Sequence, residues 1–186
     1  IEARVLAWLA GESWKIEVFE THGKIYEASA AMMFKIPIEN VDGELRRRGK
    51  VSELALGYQG WIGAFKQMGA DKMGLSEDEM KNLILKWRKA NPNIVRYWGL
   101  VAKAAVMTIQ KKKTHKLPFL EFHIKNGSLL IQLPSGRSLV YNNAKAVIGR
   151  NEFTGESTYT IAYQGVGDDG RWTWIQSYGG KLVENI

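Results

Sequence analysis

The hydrophobic pattern divides the chain into a helical first part and a strand-rich last part. Up to about residue 116, apolar residues recur every three or four positions, the period of a helix buried on one face. From Leu117 onward apolar and polar residues alternate, the period of a strand. The order predicts an α+β fold: helices first, a small antiparallel sheet after them, and a final helix beginning near Lys181.

Three helices in the first part can be bounded by their start and stop signals. We expect the first over residues 1–10, ended by Gly11, and the second over the alanine- and methionine-rich residues 25–34. The third should run over residues 44–57, because Asp42 can accept a hydrogen bond from its first turn. These boundaries place the polar third helix well inside the chain.

Two further helices are predicted from a capping box and a proline. Ser76 and Glu79 can satisfy each other's backbone donors at a helix start. Pro92 suits the first turn of the next helix, where its missing N–H costs nothing. Each helix has an apolar stripe, formed by Met80, Leu83, Ile84 and Trp87 in one and by Ile94, Trp98, Val101 and Ala105 in the other.

Two β-hairpins are predicted in the last part. Residues 129–133 and 138–141 flank a Pro-Ser-Gly turn, and residues 159–163 and 172–174 flank a glycine-rich turn. That second turn, at residues 167–170, contains adjacent aspartates that resemble a metal-binding Gly-Asp-Asp element. Its position between two strands favours a simple turn.

Composition adds a basic surface to this picture. The 186 residues carry a formal charge of +7, contain no cysteine, and include no apolar run long enough to span a bilayer. A basic surface attracts polyanions, so nucleic acid is the first partner to consider. The length suits one domain.

Other candidate sites are rejected on spacing. Residues 43–50 resemble a phosphate-binding loop but have one residue too many between the glycines, and Val51 stands where Ser or Thr should hold magnesium. The lysines at 111–113 are interpreted as a solvated helix end. The histidines lack metal-site spacing: His22, His115 and His123.

One helix face carries candidate chemistry. Arg46, Lys50, Leu54 and Tyr58 recur every four residues, so they lie near one another along the predicted third helix. Two cations could bind phosphates, the leucine could contact a sugar and base, and the ring could stack. The same pattern also fits a solvated basic helix with Leu54 and Tyr58 in the core, which this helix alone favours.

The wider sequence resembles family A DNA polymerases, the DNA polymerase I type. The matching segments follow the family's order across almost the whole chain: residues 1–4 with the tail of motif A, residues 24–31 with Phe34, residues 46–58 with Gly60 as motif B, and residues 87–98 and 182–186 with the phage and prophage branch. Motif B alone is moderately specific. The ordered set is much more specific than any single segment.

The resemblance implies roles for individual residues. Glu2 matches the glutamate that crowds the 2′ position of the sugar. Arg4 matches a motif A arginine that is either structural or near the primer side. Arg46 and Lys50 match the residues that bind the triphosphate of the incoming nucleotide. Lys50 would also stabilise charge on the leaving pyrophosphate, with general-acid catalysis as a candidate role. Tyr58 matches the tyrosine beside the templating base.

Three positions depart from the family pattern. Leu54 stands where Phe or Tyr is usual, which alters the sugar pocket. Tyr26 stands where many cellular members have His, so it is only a candidate phosphate contact. Tyr58 is followed by Gln59 before Gly60, a template-side glycine, rather than directly by glycine.

The metal-binding aspartates of motifs A and C have no counterpart here. We therefore expect cut ends at Ile1 and Ile186, a parent polymerase that uses Mg²⁺, and an inactive 186-residue piece. The expected partners are dNTP, primer-template DNA and the remaining palm and thumb, in the cytoplasm of a bacterial host and without a membrane. The segments expected within one truncated domain are a palm margin (1–20), helical fingers (21–116), hairpins (117–178) and a helix start (179–186).

Two other functions remain open at this stage. A basic nucleic-acid-binding module without catalysis would bind DNA through many lysines and arginines, with no special role for Lys50. A helical interaction domain would use exposed tryptophans to bind a protein, although most of the seven tryptophans lie at core-like spacing.

Overall fold

The computed structural model describes residues 1–150 and 155–186. These residues form two compact units, the first over residues 1–97 and the second over residues 98–186. The boundary falls inside one long helix, Pro92–Lys111. The α+β class predicted from the hydrophobic pattern is confirmed.

The first unit is helical. Its elements are α1 (Glu2–Ala10), α2 (Ser13–Glu20), α3 (Ile25–Phe34), a 3₁₀ turn (Ile38–Asn40), α4 (Gly43–Leu56), α5 (Ile62–Gln67), a 3₁₀ turn (Asp71–Met73), α6 (Glu77–Ala90) and the start of α7 (Pro92–Lys111). Its core contains large side chains with no exposed surface, contributed by α4 to α7: Leu56, Phe65, Ile84, Trp87 and Ile94.

The predicted helix boundaries are confirmed by their caps. Helix α1 ends at Gly11, whose φ of 68° is left-handed. Asp42 Oδ1 accepts from Leu45 N at 2.8 Å and caps α4. Ser76 and Glu79 form the capping box at the start of α6. Helices α2 and α5 have no side-chain cap, and the sequence did not predict these two helices.

The second unit contains the rest of α7 and an antiparallel sheet. Its strands pair in chain order: β1 (His115–Leu117), β2 (Leu120–Lys125), β3 (Ser128–Gln132), β4 (Ser138–Arg150), β5 (Ser157–Val166) and β6 (Trp172–Ser177). Both predicted hairpins are present, with Leu130 opposite Val140 and Tyr163 opposite Ile175. A register shift between Asn142 and Lys145 interrupts β4.

The glycine-rich segment between β5 and β6 is the predicted turn. Gly170 N donates to Gly167 O at 2.9 Å, and Gly167 N donates to Arg171 O at 2.8 Å. Asp169 Oδ1 accepts from Arg171 N at 3.0 Å. Both aspartates are exposed, and Asp169 stabilises the turn.

A final helix, α8 (Gly179–Asn185), follows β6. It begins two residues earlier than the sequence suggested. Tyr178 is the extended residue before the helix, and the buried Gly179 and Gly180 belong to its first turn. The buried core of this unit includes Phe122, Leu129, Ile131, Ile161 and Leu182. None of the helices within the described residues has the length and apolar character to cross a bilayer.

Candidate nucleotide-binding helix

Helix α4 presents the residues predicted from the four-residue spacing. Arg46 and Lys50 are exposed, and the Leu54 residue is 48% exposed. Tyr58 is half-buried and follows the C-cap of the helix, Gly57. Leu54 is therefore not a core residue, and the part of the solvated-helix interpretation that placed it in the core is wrong.

Arg46 is held by helix α3. Its Nε lies 2.7 Å from Glu27 Oε1, and its Cζ lies 5.5 Å from the centroid of the Tyr26 ring. Partial burial by itself raises the Glu27 pKa, but the hydrogen bond and charge of Arg46 bring that pKa below its ordinary value. The structure thus places the candidate Tyr26 beside Arg46, and it adds Glu27, which the sequence did not single out.

Lys50 is the second exposed cation of the group. The ion pairs found in the described residues do not include it. Lys50 lies one turn after Arg46 on the same face, and its exposed ammonium group could bind a phosphate.

Gly49 explains how closely α3 and α4 approach. A Cβ at this position would collide with the carbonyl oxygen of Tyr26 and press on Ala30. The glycine between Arg46 and Lys50 therefore allows helix packing rather than phosphate binding, in agreement with the rejection of a phosphate-binding loop.

A buried ion pair fixes the inner side of α4. Lys15 Nζ on α2 lies 2.7 Å from both carboxylate oxygens of Glu53, and the residues are 1% and 8% exposed. Ser29 Oγ and Trp87 Nε1 each donate to Glu53 Oε1 at 2.8 Å. Burial lowers the Lys15 pKa from its ordinary value, although the hydrogen bonds and charge of Glu53 act to raise it.

The sequence reasoning missed this cluster. The available signal was a charged residue in a mostly apolar segment: Glu53 follows Val51 and Ser52 and precedes Leu54, Ala55 and Leu56. A charge at such a position has to be paired. The partner could not be named from the sequence, because Lys15 lies on a helix that has no apolar stripe.

The departure at Gln59 falls at a left-handed position in the turn after α4. Gln59 has a φ of 66°, in the left-handed region where glycine is favoured. The next residue, Gly60, packs so closely that a Cβ would collide with the carbonyl oxygen of Ala55. Arg88 Nη2 donates to Gly60 O at 3.1 Å, and its Cζ lies 5.1 Å from the Trp61 ring centroid.

Helix α1 lies beside the end of α4. Leu6 Cδ2 approaches the position of Gly57 closely enough that an added Cβ would lie 3.2 Å away. Glu2 is exposed one turn before Leu6, on the same side of α1. Arg4 is also exposed, and its Cζ lies 5.1 Å from the Phe19 ring centroid. The predicted Glu2 and Tyr58 therefore belong to neighbouring elements, whereas Arg4 stacks on α2.

The carboxylates and histidines of the chain were compared with the ligand set of a metal site. Across the part of the chain that the structure describes, no group of three or more His, Asp or Glu side chains is placed to hold a metal ion. Three carboxylates on or beside α4 already have cationic partners, since Glu27 pairs with Arg46, Glu53 with Lys15 and Glu44 with Arg48. These donors do not fit a magnesium site.

Comparison with known proteins shows which proteins this chain is related to. No family model matches the chain. The chain is 52% identical over 189 aligned positions to the DNA polymerase of Bacillus phage SP02. The chain is homologous to DNA polymerases. This alignment covers all of the chain but 28% of the SP02 polymerase, so the chain spans less than a third of that relative.

Two bacterial relatives are called DNA polymerase I. The Mycobacterium tuberculosis protein (strain H37Rv) is 41% identical over 58 residues, which cover 31% of this chain and 6% of the relative. The Pseudomonas aeruginosa protein is 28% identical over 132 residues, covering 69% of this chain and 14% of the relative. The predicted resemblance to the DNA polymerase I type and to a phage member is confirmed.

Proposed function

We propose that this chain supplies the nucleotide-binding fingers and a margin of the palm of a DNA-directed DNA polymerase. The observation that carries the proposal is the shared face of α4. Arg46, Lys50 and Leu54 are exposed there at successive turns, and the half-buried Tyr58 follows at the same spacing. The homology to the SP02 DNA polymerase along the entire chain supports it. The partners in this proposal are dNTP and primer-template DNA.

The chemistry of α4 suits a triphosphate lying along the helix. The Arg46 guanidinium offers planar donors to phosphate oxygens, and Lys50 offers a compact ammonium group one turn later. In the transition state of nucleotidyl transfer, negative charge builds up on the leaving pyrophosphate, so a fixed cation there lowers the barrier. Leu54 would contact the sugar and base, and Tyr58 would stack beside the templating base.

Glu2 and Arg4 take their proposed roles from the family resemblance. Glu2 would exclude a 2′-hydroxyl, and the contact between Leu6 and Gly57 supports this because it brings α1 to the end of α4 where the sugar would lie. Arg4 would act near the primer. Gly60 would keep the template side of the turn free of side-chain atoms.

The test of nucleotide binding compares two lysines. We expect Lys50→Ala to weaken binding of Mg²⁺–dGTP about tenfold or more, because it removes a charge-assisted contact. The control is Lys112→Ala, which removes an exposed lysine directly after α7. Isothermal titration calorimetry would measure both, and equal effects of the two substitutions would refute the proposed role of α4.

We propose further that the 186-residue chain by itself does not extend a primer. Two magnesium ions held by carboxylates act in this chemistry, and the sequence offers no counterpart of the family's motif A and motif C aspartates. A primer-extension assay with dNTP and Mg²⁺ tests this directly. Template-directed extension by the chain alone would overturn the proposal.

A second candidate function is nucleic-acid binding without catalysis, which the charge of +7 favours. Binding of this kind depends steeply on salt and is spread over many cations. It predicts equal losses of DNA affinity for Lys50→Ala and Lys112→Ala, and no binding of dGTP. The same two variants therefore separate the two functions.

A further inference from the structure

The carboxylate of Glu53 collects hydrogen bonds from three other helices. Lys15 on α2 contacts both oxygens, while Ser29 on α3 and Trp87 on α6 contact Oε1. All four side chains are almost fully buried. The Glu53 carboxylate thus links α4 to α2, α3 and α6.

The ammonium group of Lys15 is itself enclosed. Its Nζ lies 4.9 Å from the ring centroid of Trp87 and 5.3 Å from that of Trp14. Trp14 is in turn fixed by a hydrogen bond of 2.9 Å from Nε1 to Ala90 O. The Lys15 ammonium group is therefore in contact with two aromatic rings and with the Glu53 carboxylate, and these contacts restrict its position.

Stability alone is a poor reason for such a cluster. Two charges lose their hydration on burial, and apolar pairs of similar volume often serve equally well. What an ion pair adds is direction, because a carboxylate with four short contacts permits little rotation or sliding of its helix. Glu53 lies one residue before Leu54 and three after Lys50, so fixing it fixes how those side chains are presented.

We propose that Glu53 is the positioning residue that sets the angle and axial position of α4 for nucleotide binding, and that Lys15, Ser29 and Trp87 act through it. The inference rests on the proposed function of α4. It concerns a residue that does not touch the nucleotide, since the Glu53 side chain is buried and faces its three partners.

The main test replaces the buried pair by apolar groups. Lys15→Met combined with Glu53→Leu removes both charges but leaves the buried Ser29 and Trp87 donors without an acceptor, so we expect a folded variant with a lower urea midpoint than the wild type. We expect the affinity for Mg²⁺–dGTP to fall about fivefold or more, because α4 is no longer held in one orientation. Lys15→Met combined with Glu53→Gln keeps an acceptor for Ser29 and Trp87 and should recover part of the loss. A folded Met/Leu variant with wild-type affinity overturns the proposal.

A pair of milder variants covers the case in which the double variants do not fold. Ser29→Ala removes one donor to Glu53, and we expect a loss of dGTP affinity of about threefold. Ser52→Ala is the matched control: this serine is also fully buried, lies on α4 itself, and its Oγ has no hydrogen-bond partner among the described residues. Equal effects of the two substitutions would overturn the proposal.

Hydrogen exchange separates this inference from the proposed function. In the Met/Leu variant we expect amides of α4 to exchange about tenfold faster, while amides of strands β2 and β3 keep their wild-type rates. If Lys50→Ala retains full dGTP affinity, the proposed function fails and α4 exchange alone decides whether Glu53 positions the helix. Unchanged α4 exchange refutes the positioning role whatever Lys50 does.

Discussion

Arg46 Nε lies 2.7 Å from Glu27 Oε1, so the first cation of the proposed triphosphate site already has an anionic partner. The Arg46 side chain is 49% exposed and that of Glu27 is 23% exposed. A triphosphate has to share the guanidinium with this carboxylate or displace it. The ion pair therefore both orients Arg46 and competes with the ligand.

Competition should outweigh orientation, because a partly exposed ion pair contributes little and the Glu27 charge repels phosphate. We expect Glu27→Gln to increase the affinity for Mg²⁺–dGTP by up to about fivefold. Calorimetric titration would measure it. Glu44→Gln is a matched control, since it removes a carboxylate of α4 that pairs with Arg48 instead. A weaker affinity in Glu27→Gln would mean that orientation of Arg46 dominates.

Two leucines of α4 separate binding from folding. Leu54 is 48% exposed and Leu56 is fully buried. We expect Leu54→Ala to change the free energy of unfolding by less than about 1 kcal/mol, and Leu56→Ala to lower it by about 2–5 kcal/mol. We expect Leu54→Ala alone to weaken dGTP binding about threefold at unchanged stability, through lost apolar contact. Urea unfolding and calorimetry test both, and unaltered dGTP affinity in Leu54→Ala would remove that leucine from the site.

The sequence predicted those elements whose signals are local. Gly11, Asp42 and the Ser76–Glu79 capping box act within one helical turn, and each marks the boundary that the structure shows. The spacing of Arg46, Lys50 and Leu54 is likewise local, so their common face followed from helical geometry. The exposure of Leu54 did not, because the helix pattern by itself favoured a buried leucine.

The remaining features depend on contacts between distant residues. Lys15 and Glu53 are 38 positions apart, and Arg46 and Glu27 are 19 apart. Helix α2 buries a lysine instead of an apolar stripe, so its period gave no signal. The sequence shows that Glu53 lies in a mostly apolar segment, but only the packing of α2, α3 and α6 shows that it is buried and which donors bind it.

The close approach of α3 and α4 makes Gly49 sensitive to a single methyl group. We expect Gly49→Ala to lower the free energy of unfolding by about 2 kcal/mol or more, because its Cβ would collide with the Tyr26 backbone. Gly63→Ala in α5 is the control, with nothing within 4 Å of the added Cβ. Helix propensity should make that variant neutral or more stable by up to about 1 kcal/mol. Urea unfolding would measure both, and equal midpoints would exclude a tight contact at Gly49.

Glu12 provides a pH-dependent contribution to stability. The residue is 3% exposed, and its Oε2 accepts from Asn93 N at 2.9 Å and Ile94 N at 3.3 Å at the start of α7. Burial raises its pKa above the ordinary 4.5, although both amides and the charges of Lys15 and Arg96 lower it. The folded protein therefore binds the Glu12 proton more tightly than the unfolded chain.

That tighter binding stabilises the fold fully below pH 4.5 and is lost as the pH rises through the folded pKa. We expect the free energy of unfolding of the wild type, relative to Glu12→Gln, to fall over this window. A tenfold difference in proton affinity between the folded and unfolded states corresponds to about 1.4 kcal/mol. Urea unfolding from pH 4 to 8 would measure the difference, with Glu17→Gln, an exposed carboxylate of α2, as the control. A difference that rises with pH instead would show that the α7 amides and the two cations outweigh burial and hold Glu12 ionised.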